Sequence, residues 1–177
     1  DYPGNRGLLY RQISPRRFEP VATDDAFEHN RSHGIAVADF DRDGDLDLVV
    51  GHSRSRCDAN APNDCYPTSR VRYFENLSAD SGHWLQLRLD GGPGTNRAAI
   101  GARVEVTTSA GTQSQQVGGG HGHYGMQHDL VLHFGLGAAC DATVTVHWPN
   151  GTRSTDSLTL TADRRYHLLE GATPVAE

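Results

Sequence analysis

GIAVADFDRDGDLDLVVG, Gly34 to Gly51, sets two apolar runs on either side of five aspartates at alternate positions. Ile35 and Val37 alternate with small residues before the acidic run, and LDLVVG follows it. The pattern is that of strand, loop, strand. Every carboxylate is ionised at neutral pH, so the loop is self-repelling unless a cation sits among them. A hard dication such as Ca2+ takes roughly six to eight oxygens, and carboxylates on a tightly curled loop converge on one point. The spacing assigns Asp39, Asp41, Asp43 and Asp47 as side-chain ligands and Asp45 as a backbone-carbonyl ligand. Gly44, sixth from Asp39, permits the sharp turn. The twelfth position is Val50 rather than the glutamate of an EF-hand, and strand-like runs stand where that motif has helices. Mg2+ suits the loop less well because it resists dehydration.

Outward from this stretch, helical periodicity is absent and short apolar alternations recur, the sign of an all-β chain. RVRYFEN, Arg70–Asn76, reads as a third strand. From His83 the alternation becomes regular. WLQLRLD places Leu85, Leu87 and Leu89 on one face, with Gln86 and Arg88 on the other. ARVEVTT turns Val104 and Val106 inward, and TVTVHW does the same with Val144, Val146 and Trp148. The Asn-Gly pair of PNGT, Pro149–Thr152, favours a tight turn, and SLTLTADRRYHLLE supplies a return strand. A boundary is expected near Ser78–Gly82. It separates a polar, loop-rich unit over 1–80 from a small antiparallel β-sandwich over 83–172.

Composition narrows the chemistry. The 177 residues carry a net charge of −6, which disfavours nucleic acid and anionic membranes as partners. All 16 basic residues are arginine, so lysine-dependent Schiff-base and P-loop chemistry is excluded. No stretch approaches the ~20 apolar residues of a membrane helix. The first residue is Asp1, and the chain is expected to be a piece of a longer one. Cys57 and Cys65 bracket the polar loop CDANAPNDC, a span suited to a local disulfide and hence to an oxidising compartment. Two free thiols are the alternative. Cys140 is left over, either buried and inert or unpaired, and no cysteine has a visible activating neighbour.

The segment GGGHGHYGMQHD, Gly118–Asp129, satisfies G-x-G-x-x-G without the βαβ setting that gives that motif meaning. Its histidines raise a second possibility, a Zn2+ or Cu2+ site from His121, His123 and His128, with Met126 as a soft ligand for copper. Surface histidines of a glycine-rich loop are the plainer reading. Nucleophile elbows and HExxH motifs are missing, and Ca2+ activates water poorly, so catalysis is not expected.

Two resemblances follow from these residues. GIAVADFDRDGDLDLVVG resembles an FG-GAP (VCBS) repeat, the blade unit of integrin-like β-propellers, whose aspartate loop binds Ca2+ between two strands. LLYRQISPRRFEPVA, Leu8–Ala22, resembles the strand pair preceding such a loop, with SPRR in place of the usual Asn-Gly-Asp-Gly turn. AIGARV, HFGLG and VTVHWPNG resemble the ASPIC/UnbV domain, a module that follows FG-GAP repeats in secreted proteins. The resemblance implies a single FG-GAP-like blade beside an ASPIC/UnbV-like sandwich, with further FG-GAP repeats expected in a longer chain. It implies a non-catalytic, secreted or bacterial surface or periplasmic module, stabilised by Ca2+ and recognising an extracellular protein or glycan. The alternatives are a transition-metal protein using the His121–His133 segment, or an accessory domain of a biosynthetic or processing enzyme.

Overall fold

The computed structural model describes residues 8–21, 32–54, 67–68, 70–78, 82–120, 126–151 and 155–177. Among them there are thirteen strands and no helix, so the all-β expectation holds. Contacts divide the chain into two units that are not contiguous in sequence. One comprises Asp1–Ile35 with Leu48–Phe74, the other Ala36–Asp47 with Glu75–Glu177.

In the first unit, β1 (Tyr10–Ser14) and β2 (Arg17–Pro20) form an antiparallel hairpin. Arg16 makes the turn at φ 64°, the left-handed conformation the usual glycine of such a turn adopts freely. A separate sheet has the order β3 (Ser32–Ala38), β4 (Asp47–His52), β5 (Arg70–Phe74). The two runs of the opening stretch are therefore strands, and RVRYFEN supplies the third. β4 pairs antiparallel with β5 from Leu48 opposite Phe74 to His52 opposite Arg70, with Val50 fully buried.

The second unit is a sandwich of two four-stranded sheets. One has the order β11 (Thr155–Thr161), β10 (Asp141–His147), β7 (Arg103–Thr108), β8 (Gly111–Gln116). The other runs β13 (Val175–Ala176), β12 (Arg164–Leu169), β6 (His83–Asp90), β9 (Leu132–Gly137). The alternating residues do what their period demands. Leu85, Leu87, Phe134, Val104, Val106, Val144 and Val146 have no exposed surface, and Trp148 closes the same core. Each such side chain contributes about 1.5–3 kcal/mol on leaving water.

Two details depart from the sequence reading. The run after PNGT is not one return strand but two, β11 and β12, in different sheets. Asp163, at φ 57°, turns the chain between them. β12 then pairs with β6 in parallel, Arg164 beside Leu85 through to Leu169 beside Asp90, so the sandwich is not purely antiparallel. The face of β6 opposite its leucines is also not free. Gln86 is only 3% exposed, and what covers it is the aspartate loop.

Candidate metal centre

The loop leaves β3 after Ala38 and re-enters the fold at Asp47, the first residue of β4. Its curl is written in the backbone: Arg42 and Gly44 both adopt positive φ, 66° and 98°. The carboxylates then fold back on the loop's own amides. Asp39 accepts from the N–H groups of Arg42 at 2.7 Å and Gly44 at 3.1 Å. Asp41 accepts from the N–H of Asp43 at 3.2 Å, and Asp43 from that of Asp45 at 2.8 Å. This self-capping brings the carboxylate oxygens of Asp39, Asp41 and Asp43 within 4.8 Å of one another. Among the described residues, they alone form a group of three potential ligands.

Asp47 has a different position. It is 1% exposed, and its two oxygens accept the backbone N–H groups of Phe40 at 3.0 Å and Asn76 at 2.8 Å. It thus braces the two ends of the loop and stands outside the convergent group. Asp45 is also buried, and its amide is the donor that orients Asp43. Desolvation holds the Asp41 carboxyl above its ordinary value. The Asp43 N–H opposes that rise, while the charges of Asp43, Asp47 and Asp39 add to it. A dication beside Asp41 would favour the ionised form of its carboxyl against that rise.

The loop is seated on β6 and β9 of its own unit. The Gln86 side-chain amide donates to Asp39 at 2.5 Å and lies 3.4 Å from Nδ1 of His133. His133 stacks on Trp84, ring centroids 6.2 Å apart and planes within 15°. Burial pushes the His133 imidazole below its ordinary 6.5, although the charges of Asp39 and Asp45 pull the other way. A neutral ring, accepting at Nδ1, lets one Gln86 NH2 serve both His133 and Asp39. Trp84, Gln86 and His133 were not readable as a loop seat, since in sequence they are ordinary members of alternating strands. A polar glutamine inside a run of leucines was the available signal.

Beside the loop, a cleft of about 300 Å3 is lined by Val37, Leu46, Gln116, Gln127, His128 and Asp129 among others. The Val37 N–H donates to Nδ1 of His128 at 3.2 Å, which fixes that ring in the wall. His121 and His123, the other members of the histidine set, lie outside the described residues, as do Cys57 and Cys65. Cys140 is described and is a free, exposed thiol. Nε2 of His83, 57 positions away in sequence, stands 3.7 Å from its sulfur.

Residues 92–175 match the family model described as ASPIC and UnbV. The chain is 32% identical to cartilage acidic protein 1 of Mus musculus over 151 residues, covering 81% of this chain and 21% of that protein. Against the Homo sapiens protein the identity is again 32% over 151 residues, with 81% and 20% covered. The Xenopus tropicalis protein is 33% identical over 131 residues, with 72% and 18% covered. The chain thus spans about a fifth of the length of the curated relatives it matches. The resemblance read from AIGARV, HFGLG and VTVHWPNG is borne out for the carboxy-terminal half.

Proposed function

We propose that this chain is part of a secreted, non-catalytic interaction module whose β scaffold is stabilised by Ca2+ held in the Asp39–Asp47 loop. The observation that carries the reading is the convergence of Asp39, Asp41 and Asp43, with each carboxylate oriented by a backbone amide and Asp39 further held by Gln86. Oxygen donors of one charge, pre-positioned and water-accessible at Asp41 and Asp43, suit a hard cation better than a transition metal. The sequence spacing adds Asp47 and the Asp45 carbonyl as ligands; Asp47, buried with both oxygens on backbone amides, serves this reading as the brace of the loop instead. The loop is on this view one FG-GAP blade's calcium site, and the similarity to cartilage acidic protein 1 supports an extracellular setting. The cleft beside the loop, with amide, imidazole and carboxylate walls over an apolar floor, offers a place for a protein or glycan group.

Thermal melting in millimolar Ca2+ against EDTA tests the metal. A ligand that binds only the native state stabilises it by RT ln(1 + [L]/Kd), about 2.7 kcal/mol at a hundredfold excess over Kd. A melting curve indifferent to both additions removes the calcium reading.

A further inference from the structure

Three segments meet where β6 begins. His83 is the first residue of β6, Cys140 lies in the β9–β10 link, and Asp163 lies in the β11–β12 turn. Backbone hydrogen bonds fix the meeting. The N–H of Ala162 donates to the Cys140 carbonyl at 2.9 Å, and that of Asp163 to the Trp84 carbonyl at 2.8 Å. The N–H of Trp84 returns to the Asp163 carboxylate at 3.3 Å. Gly82, at φ 75°, passes so close to Gly137 that a Cβ there would lie 2.9 Å from its carbonyl oxygen. Glycine at 82 therefore lets the chain deliver His83 to this spot.

The side chains form a line. The Cys140 sulfur is 3.7 Å from Nε2 of His83, and Nδ1 of His83 is 2.7 Å from a carboxylate oxygen of Asp163. An acceptor on Nδ1 keeps the imidazole proton there, which leaves the Nε2 lone pair facing the thiol. A base within reach of a nucleophile, and itself oriented by a third group, is the arrangement that activates a weak nucleophile. Transfer of the thiol proton to Nε2 would place an imidazolium between the thiolate and the Asp163 carboxylate. Cys140 is exposed, so a solvent reagent reaches it.

We propose that Cys140 is a nucleophilic thiol that undergoes thiol–disulfide exchange with disulfide-bearing molecules, assisted by His83 and Asp163. The Cys140 thiolate attacks one sulfur of R–S–S–R, a new S–S bond to Cys140 forms, and the original S–S bond breaks. The departing thiolate takes the proton held on His83 and leaves as R–SH. Cys140 is oxidised, half of the reagent is reduced, and no further oxidant enters. The product is a mixed disulfide on the surface of the sandwich. The site shares no residue with the aspartate loop and stands whether or not that loop holds calcium.

The test follows the Cys140-containing peptide by mass spectrometry while the intact chain reacts with glutathione disulfide in EDTA. His83→Gln and Asp163→Asn run in parallel, each checked for native circular dichroism. Native Cys140 is expected to react about tenfold faster than in His83→Gln, with Asp163→Asn between them, and unfolding in urea should abolish the difference. Iodoacetamide, an irreversible probe, should give the same ranking. Should His83→Gln fail to fold, Asp163→Asn and the urea comparison carry the test. Equal rates in native and variant chains, faster reaction after unfolding, or a ranking confined to one reagent each overturn the proposal.

Discussion

Gly44 lies against the indole of Trp84 so closely that a Cβ at this position would fall 2.0 Å from Nε1. The same glycine sits at φ 98°, where side chains are strained. The aspartate loop is therefore shaped closely to its seat. Gly44→Ala should lose about 1–3 kcal/mol of stability from backbone strain alone, with displacement of the indole added. Thermal melting and the fluorescence of Trp84 measure both effects. A variant with native stability and an unchanged Trp84 spectrum would show that the loop is not seated on the ring.

Gln86 links the loop to the sandwich, and its removal separates folding from binding. Gln86→Leu keeps the volume but leaves Asp39 without its side-chain donor. Asp39 keeps the N–H groups of Arg42 and Gly44, so the expected cost is that of one hydrogen bond to a charged group, about 1.5–3 kcal/mol. Loss of an outer partner to a metal-ligating carboxylate weakens metal affinity by about 10–100-fold. Calorimetric titration with Ca2+ reads the second quantity, and an affinity equal to that of the native chain would make Gln86 a packing residue only.

Asp43 and Asp45 stand two residues apart, yet their substitutions should differ. Asp43→Ala removes one of the three convergent carboxylates and should abolish the melting shift between EDTA and Ca2+. Asp45→Asn keeps the amide that orients Asp43, and keeps the backbone carbonyl, so most of that shift should survive. Equal losses in both variants would place the Asp45 carboxylate among the ligands.

His133 gives the fold a pH dependence of defined sign. Burial lowers its folded value below 6.5, so between the folded value and 6.5 the unfolded chain binds more protons than the native one. Its contribution to stability is therefore complete above 6.5 and is lost as pH falls through the lower, folded value. His133→Gln should flatten that part of the stability curve in urea melts run from neutral to mildly acidic pH. An unaltered slope would assign the acid sensitivity to other groups.

How far residues announce structure differs along the chain. The β-sandwich core was legible because alternation at Leu85, Leu87 and Leu89, at Val104 and Val106, and at Val144 and Val146 has only one way to bury itself. The aspartate loop was legible because glycine and spaced carboxylates are local chemistry. What the sequence hid was long-range. Gln86 looks like an outward strand residue until the loop, 47 positions earlier at Asp39, closes over it. Cys140 looks idle until β6 delivers His83 from 57 positions away and the Asp163 turn arrives from the far side. The split of the last long alternation into β11 and β12 was missed because a left-handed aspartate at 163 carries no glycine or proline signal.

The parallel pairing of β6 with β12 has a consequence for how the molecule is made. β6 opens the sandwich sequence and β12 comes near its end, yet they lie side by side from Leu85 and Arg164 onward. Pairings of such wide sequence separation are slow, because a long loop must close before the contact returns any stability. On the ribosome, the leucine strand emerges long before its neighbour and must wait with one edge open. The order of synthesis thus keeps one edge of a hydrophobic strand open after β9 has paired with the other, until Arg164–Leu169 arrive to close it.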